Sequence, residues 1–152
     1  MNKNFISAII AVVFTVALSS YAQDDMIVKG KIVYTKSMVD ANLKSIKDII
    51  IDGNKENGKT IPVHSTQIYG FTKTFDYFAN FAEIEKVTGY SRDWFKEMKK
   101  ALEAMWEPKS KMETALLNSD EKTASECRII YETANKKFMD LMDHPRKAQK
   151  KK

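Results

Sequence analysis

The chain has 152 residues, with 25 Lys and Arg against 20 Asp and Glu, a formal net charge of +5, two histidines and one cysteine. A lone cysteine excludes an intrachain disulfide, and the length suits one domain with one core. No Gly-x-Ser-x-Gly, His-Glu-x-x-His or phosphate-cradling glycine loop occurs, so the chain reads as a non-enzyme.

The first element, 1–22, is expected to be a signal peptide. Lys3 supplies a positive start, "FISAIIAVVFTVAL" an apolar run, and "SSYA" places Ser20 and Ala22 as the small residues of a cleavage site. The run is shorter than the roughly 20 residues of a membrane span. No cysteine follows it directly, which argues against a lipoprotein. Cleavage after Ala22 would export a periplasmic or secreted chain that starts at Gln23.

Four apolar stripes at helical spacing follow. Over 31–52, Ile32, Val39, Leu43, Ile46 and Ile50 mark one helix face, ended by the glycines of "DGNKENGK". A second helix is expected from about Pro62 to "TGYS", with Ile68, Phe71, Phe75, Phe78 and Ala82 on its face and Tyr69 and Phe81 widening it. Tyr69, Tyr77 and Phe81 are candidates to line an apolar pocket or to meet a second copy. The third helix, 92–118, is opened by Ser91 as N-cap and carries Phe95, Met98, Leu102, Met105, Met112 and Leu116. Pro108 lies inside it, so a kink or short break is expected near 106–108, with "SKME" as a capping box that restarts the helix. The fourth helix opens at "NSDE" and carries Ala124, Cys127, Tyr131, Ala134, Phe138 and Leu141 until "HPRK". No segment alternates like a strand. Four amphipathic helices with short connections bury their stripes most compactly as an antiparallel four-helix bundle, so the fold class is all-α over 23–145.

"YTKSMVDANLKSIKDII", "YSRDWFKEMKKALEAM" and "LLNSDEKTASECRIIYETANKKFMDLM" resemble the first, third and last helices of the cytochrome c-prime family, and more distantly the soluble periplasmic b-type cytochrome bundle. The resemblance implies where haem would sit. The family's Cys-x-x-Cys-His motif aligns its histidine with Phe138 and its cysteines with Ala134 and Lys137. Phenylalanine offers iron no donor, and one cysteine cannot make two thioether links, so covalent haem is not expected. The same resemblance implies dimerisation through helices 1 and 2.

Other donors are candidates for a second reading, a periplasmic electron-transfer or metal carrier. Met38 lies where b-type bundles take a thioether ligand, which points to non-covalent haem. Met139, Met142 and His144 in "MDLMDH" are soft donors at a helix end, suited to copper. Met98, Met105 and Met112, spaced by sevens, read as core filling instead, as does Cys127. His64 and His144 are expected at opposite ends of the bundle, too far apart to share a metal. The tail 146–152 holds five basic residues; without these and Lys3 the charges nearly balance. It reads as a solvated terminus or a weak tether to an anionic surface through Arg146–Lys152. Nothing interleaves it with aromatic platforms, so nucleic acid is not an expected partner.

Overall fold

The computed structural model describes residues 27–28, 31–32, 34–56 and 58–149; the expected signal peptide lies outside the described residues. The described chain is mostly helical, in keeping with an all-α class. Its helices are α1 (Lys36–Asp52), α2 (Ser65–Asn80), α3 (Ala82–Thr88), α4 (Arg92–Leu117) and α5 (Glu121–Asp143). Two antiparallel strand pairs accompany them, β1 (Ile27–Val28) with β2 (Lys31–Ile32) and β3 (Asn54–Glu56) with β4 (Lys59–Ile61). Among the described residues no helix is long and apolar enough to cross a membrane.

The first helix starts later than its periodicity suggests. Thr35 is the N-cap and accepts from the Met38 N–H at 3.3 Å, so Ile32 falls in a strand instead of the helical stripe. The rest of that stripe, Val39, Leu43, Ile46 and Ile50, is buried as expected. Gly53 ends the helix at φ 70°, and a Cβ there would lie 2.4 Å from the Ile61 carbonyl oxygen. Only glycine lets β4 pass so close. The glycine-rich stretch is more than a stop signal: Asn-Gly at 57–58 is the dipeptide that tight hairpins favour, and β3 and β4 flank it.

The second predicted helix is two. Phe81 leaves helical geometry (φ −93°, ψ 103°) and serves as C-cap of α2 and N-cap of α3. The break resets the helical phase, so Ala82 is exposed and Ile84 is buried in its place. The N-terminus of α2 also lies at Ser65, three residues beyond Pro62.

The expected break at Pro108 is absent: α4 runs unbroken through it, and the proline itself is buried. The Ser110–Glu113 capping box is therefore unused. Ser110 is mid-helix, its carbonyl accepting from the Thr114 hydroxyl at 3.0 Å. Glu113 reaches across to α2 and accepts from the Ser65 N–H at 3.1 Å and the Ser65 hydroxyl at 2.6 Å. A carboxylate on one helix thus satisfies a free donor at the start of another. Near the end of α4 the phase also departs from expectation, with Ala115 buried and Leu116 exposed.

α4 is the central helix. α2 runs antiparallel to it, since Ser65 meets Glu113 at one end and the Arg92 Nε–H donates to the Ala79 carbonyl at 2.8 Å at the other. α5 is antiparallel on another side, with the Trp94 indole N–H donating to the Leu141 carbonyl at 2.9 Å. α1 joins at the end where α4 starts and α5 finishes: Asp40 accepts from the Tyr90 hydroxyl at 2.8 Å, and Lys47 pairs with Asp143. The main core gathers Val39, Ile46, Ile68, Phe71, Phe75, Phe78, Phe95, Met98, Leu102, Met105 and Phe138, all at or below 1% exposure. Each such side chain stabilises the fold by roughly 1.5–3 kcal/mol relative to an exposed one. A smaller cluster of Met112, Ala115, Ala124 and Cys127 sits between α4 and α5, so Cys127 is buried as expected.

Candidate functional site

The core around position 138 is aromatic. Phe138 is 0% exposed, and its ring meets Phe75 edge-on at 6.1 Å and 90°. Phe75 in turn packs against Phe78 at 6.0 Å and Phe95 at 6.3 Å, and Phe95 against Trp94 at 5.0 Å. Tilted and edge-to-face pairs at such distances add about 0.5–1.5 kcal/mol each beyond area burial. The slot is filled by interlocked rings.

Met38 is half-buried in the first turn of α1. Met139 and Met142 are half-buried against the main core, and His144, the C-cap of α5, is exposed with Nδ1 2.9 Å from the Asp140 carbonyl oxygen. His64 stands at the other end of α4, 3.5 Å from Glu113, while the C-terminal segment that follows His144 meets the start of α4. The histidines are thus at opposite ends, as expected. Among the described residues no group of three or more His, Cys, Asp or Glu is placed to hold a metal. Met98 and Met105 are fully buried core side chains, and Met112 belongs to the smaller cluster.

The aromatic surplus of the second helix separates into two uses. Tyr69 packs on Trp106 at 5.5 Å, with the Lys73 ammonium 4.8 Å from its ring centroid. Tyr77 and Phe81 stack at 5.1 Å and 17°, and Tyr34, just before α1, lies against both at 5.7 and 5.9 Å. Tyr34 and Tyr77 are half-buried and Phe81 is 38% exposed, so the trio forms an aromatic patch at the joint of α2 and α3. Burial, then the neighbouring Tyr77 hydroxyl, holds the Tyr34 phenol far above its usual range. Spacing could flag Tyr77 and Phe81 as an i, i+4 pair, but Tyr34 comes from another segment and carried no periodic signal.

Among the described residues several charged groups pair on the surface. Lys99 donates to Asp76 at 2.7 Å and bridges α4 to α2, and that bond raises its pKa. Lys109 lies 3.6 Å from Glu113 and 5.7 Å from the centre of the Tyr131 ring. Burial, then the Glu113 charge, raises the Tyr131 phenol. Ser65, Glu113, His64 and Lys109 thus form a polar cluster, but its geometry is that of a helix cap. Glu113 accepts from serine directly, with no imidazole between them to relay a proton. An open groove of about 330 Å³ between Ser110, Thr114, Ala115, Asn118 and Thr123 is wide to solvent, and Asp120 on its rim is engaged in capping α5.

The basic tail is docked at Arg146 and Lys147. Arg146 makes a two-pronged bond to Glu97 at 2.6 and 2.8 Å, and Lys147 places its ammonium 4.4 Å from the Tyr90 ring centroid. The solvated terminus expected over 146–152 is therefore docked along its first residues, while Lys150–Lys152 lie outside the described residues. No protein-family model, curated protein or solved structure matches the chain.

Proposed function

We propose that this chain is an exported antiparallel helical bundle, similar in shape to cytochrome c-prime, that works by binding without covalent haem and without catalysis. The observation that supports this reading is Phe138, fully buried and edge-on against Phe75, at the position that the sequence resemblance aligns with an axial histidine. A phenyl ring gives iron no donor, and a macrocycle there would have to displace the packed rings of α2, α4 and α5. The partner proposed is a second copy. The Tyr34–Tyr77–Phe81 patch stands at the α1–α2 side of the molecule, and such rings contribute contact area at low entropic cost.

Absorbance spectra and metal analysis of the purified mature chain, combined with sedimentation equilibrium, test the proposal. A colourless, metal-free dimer that Phe81→Asp converts to monomer supports it. A Soret band, or stoichiometric copper that is lost in a Met139→Leu/Met142→Leu variant, would establish the carrier reading instead. A monomer at every concentration would remove the second copy as partner.

A further inference from the structure

After Asp143, Pro145 prevents α5 from continuing, and the chain turns back across the start of α4. There it pairs like a strand edge: the Ser91 N–H donates to the Arg146 carbonyl at 2.8 Å and the Ala148 N–H to the Gly89 carbonyl at 2.9 Å. Beneath it lies Tyr90, 9% exposed, with one ammonium 4.8 Å from its ring centroid (Lys36) and another at 4.4 Å (Lys147). Its hydroxyl donates to Asp40 and accepts from Lys36, which itself pairs with Asp40. Behind Tyr90, at 5.2 Å, is the buried indole of Trp94.

The attachment has an unusual composition. Arg146, Lys147 and Gln149 are exposed and Ala148 is half-buried, so the segment contributes no large apolar anchor. What holds it is two backbone bonds, a cation over a ring, and the Arg146–Glu97 pair, whose side chains are 56% and 39% exposed. Exposed charge pairs weaken as salt rises, whereas the core behind them does not. From these features we propose that residues 146–149 form a salt-sensitive latch that closes over Tyr90 and opens without unfolding the helices. Opening bares one face of Tyr90 beside Trp94 and releases Arg146 and Lys147 to join the basic residues that end the chain. The latch therefore sets how much positive charge the C-terminus presents, independently of whether the chain dimerises or binds haem.

Amide hydrogen exchange on the mature chain tests this, comparing the native protein with Glu97→Gln at low salt and at about 1 M NaCl. The latch predicts that exchange at Ala148 rises about tenfold in either perturbation while the Phe138 amide keeps its rate. In a Trp106→Phe background, where Trp94 is the remaining indole, acrylamide quenching should rise in step. Three results would overturn the proposal. Ala148 could exchange as slowly as the core in all conditions, as a fixed element would. It could already be unprotected at low salt, as a free tail would. Or both amides could accelerate together, which would make the segment part of global unfolding.

Discussion

A phenyl ring at position 138 meets the Phe75 ring of α2 and sits at zero exposure, so truncating it leaves a cavity in the main core. Phe138→Ala should lower stability by about 3–5 kcal/mol, read from urea denaturation. Gly53 tests a different kind of constraint. Its φ of 70° and the 2.4 Å approach of the Ile61 carbonyl make any Cβ a clash with backbone. Gly53→Ala should cost at least about 2 kcal/mol, combining strain with displacement of β4. Glu113→Ala removes the acceptor of a serine N–H and hydroxyl and should cost about 1–2 kcal/mol. Glu113→Gln, which keeps an acceptor, should recover part of that loss; equal losses for both would disprove the capping role.

At the scale of elements, α4 carries an interior proline without breaking. Pro108 has no N–H for the Ala104 carbonyl, at a typical cost of ~3 kcal/mol in a helix interior. Its burial, on the same helix face as buried Met105 and Met112, offsets part of that cost. Pro108→Ala restores the donor and loses part of the apolar burial. It should raise the urea midpoint by an amount equivalent to about 1 kcal/mol, and a fall would mean that ring packing outweighs the missing bond. Periodicity located the stripes of all the long helices but not this continuity, because propensity weighs local cost and packing lies outside its view. The split at Phe81 escaped for a related reason: both halves are apolar at helical spacing, and only the requirement to place Ile84 inward selects where the phase resets.

At the scale of the whole molecule, surface charge sets the pH response. Bonds from Lys96, Thr123 and Lys47 hold the carboxyls of Asp93, Asp120 and Asp143 below their ordinary value of 3.8. A depressed carboxyl stabilises the fold above its unfolded pKa, and that contribution disappears as pH falls through the folded value. Lys36 and Lys99 are raised by Asp40 and Asp76, and Tyr34 by burial. Raised groups contribute fully below their unfolded values and lose that contribution as pH rises toward the folded ones. Stability followed by thermal unfolding should therefore be level across neutral pH, decline below about pH 4 and decline again above about pH 10. The exposed pairs make each step small.

Composition and spacing alone determined the helical class, the inward faces of α1, α2, α4 and α5, the Ser91 cap and the burial of Phe138 and Cys127. These follow from local rules: a 3.6-residue period, a short list of capping side chains and the tendency of apolar stripes to leave water. The tertiary structure decided the rest. It carried α4 through Pro108, sent Glu113 to α2, joined Tyr34 to Tyr77 and Phe81, and folded Arg146 and Lys147 back onto Glu97 and Tyr90. All but the first of these join residues far apart in the chain, and sequence separation carries no information about which distant partner a carboxylate, a ring or a cation will meet.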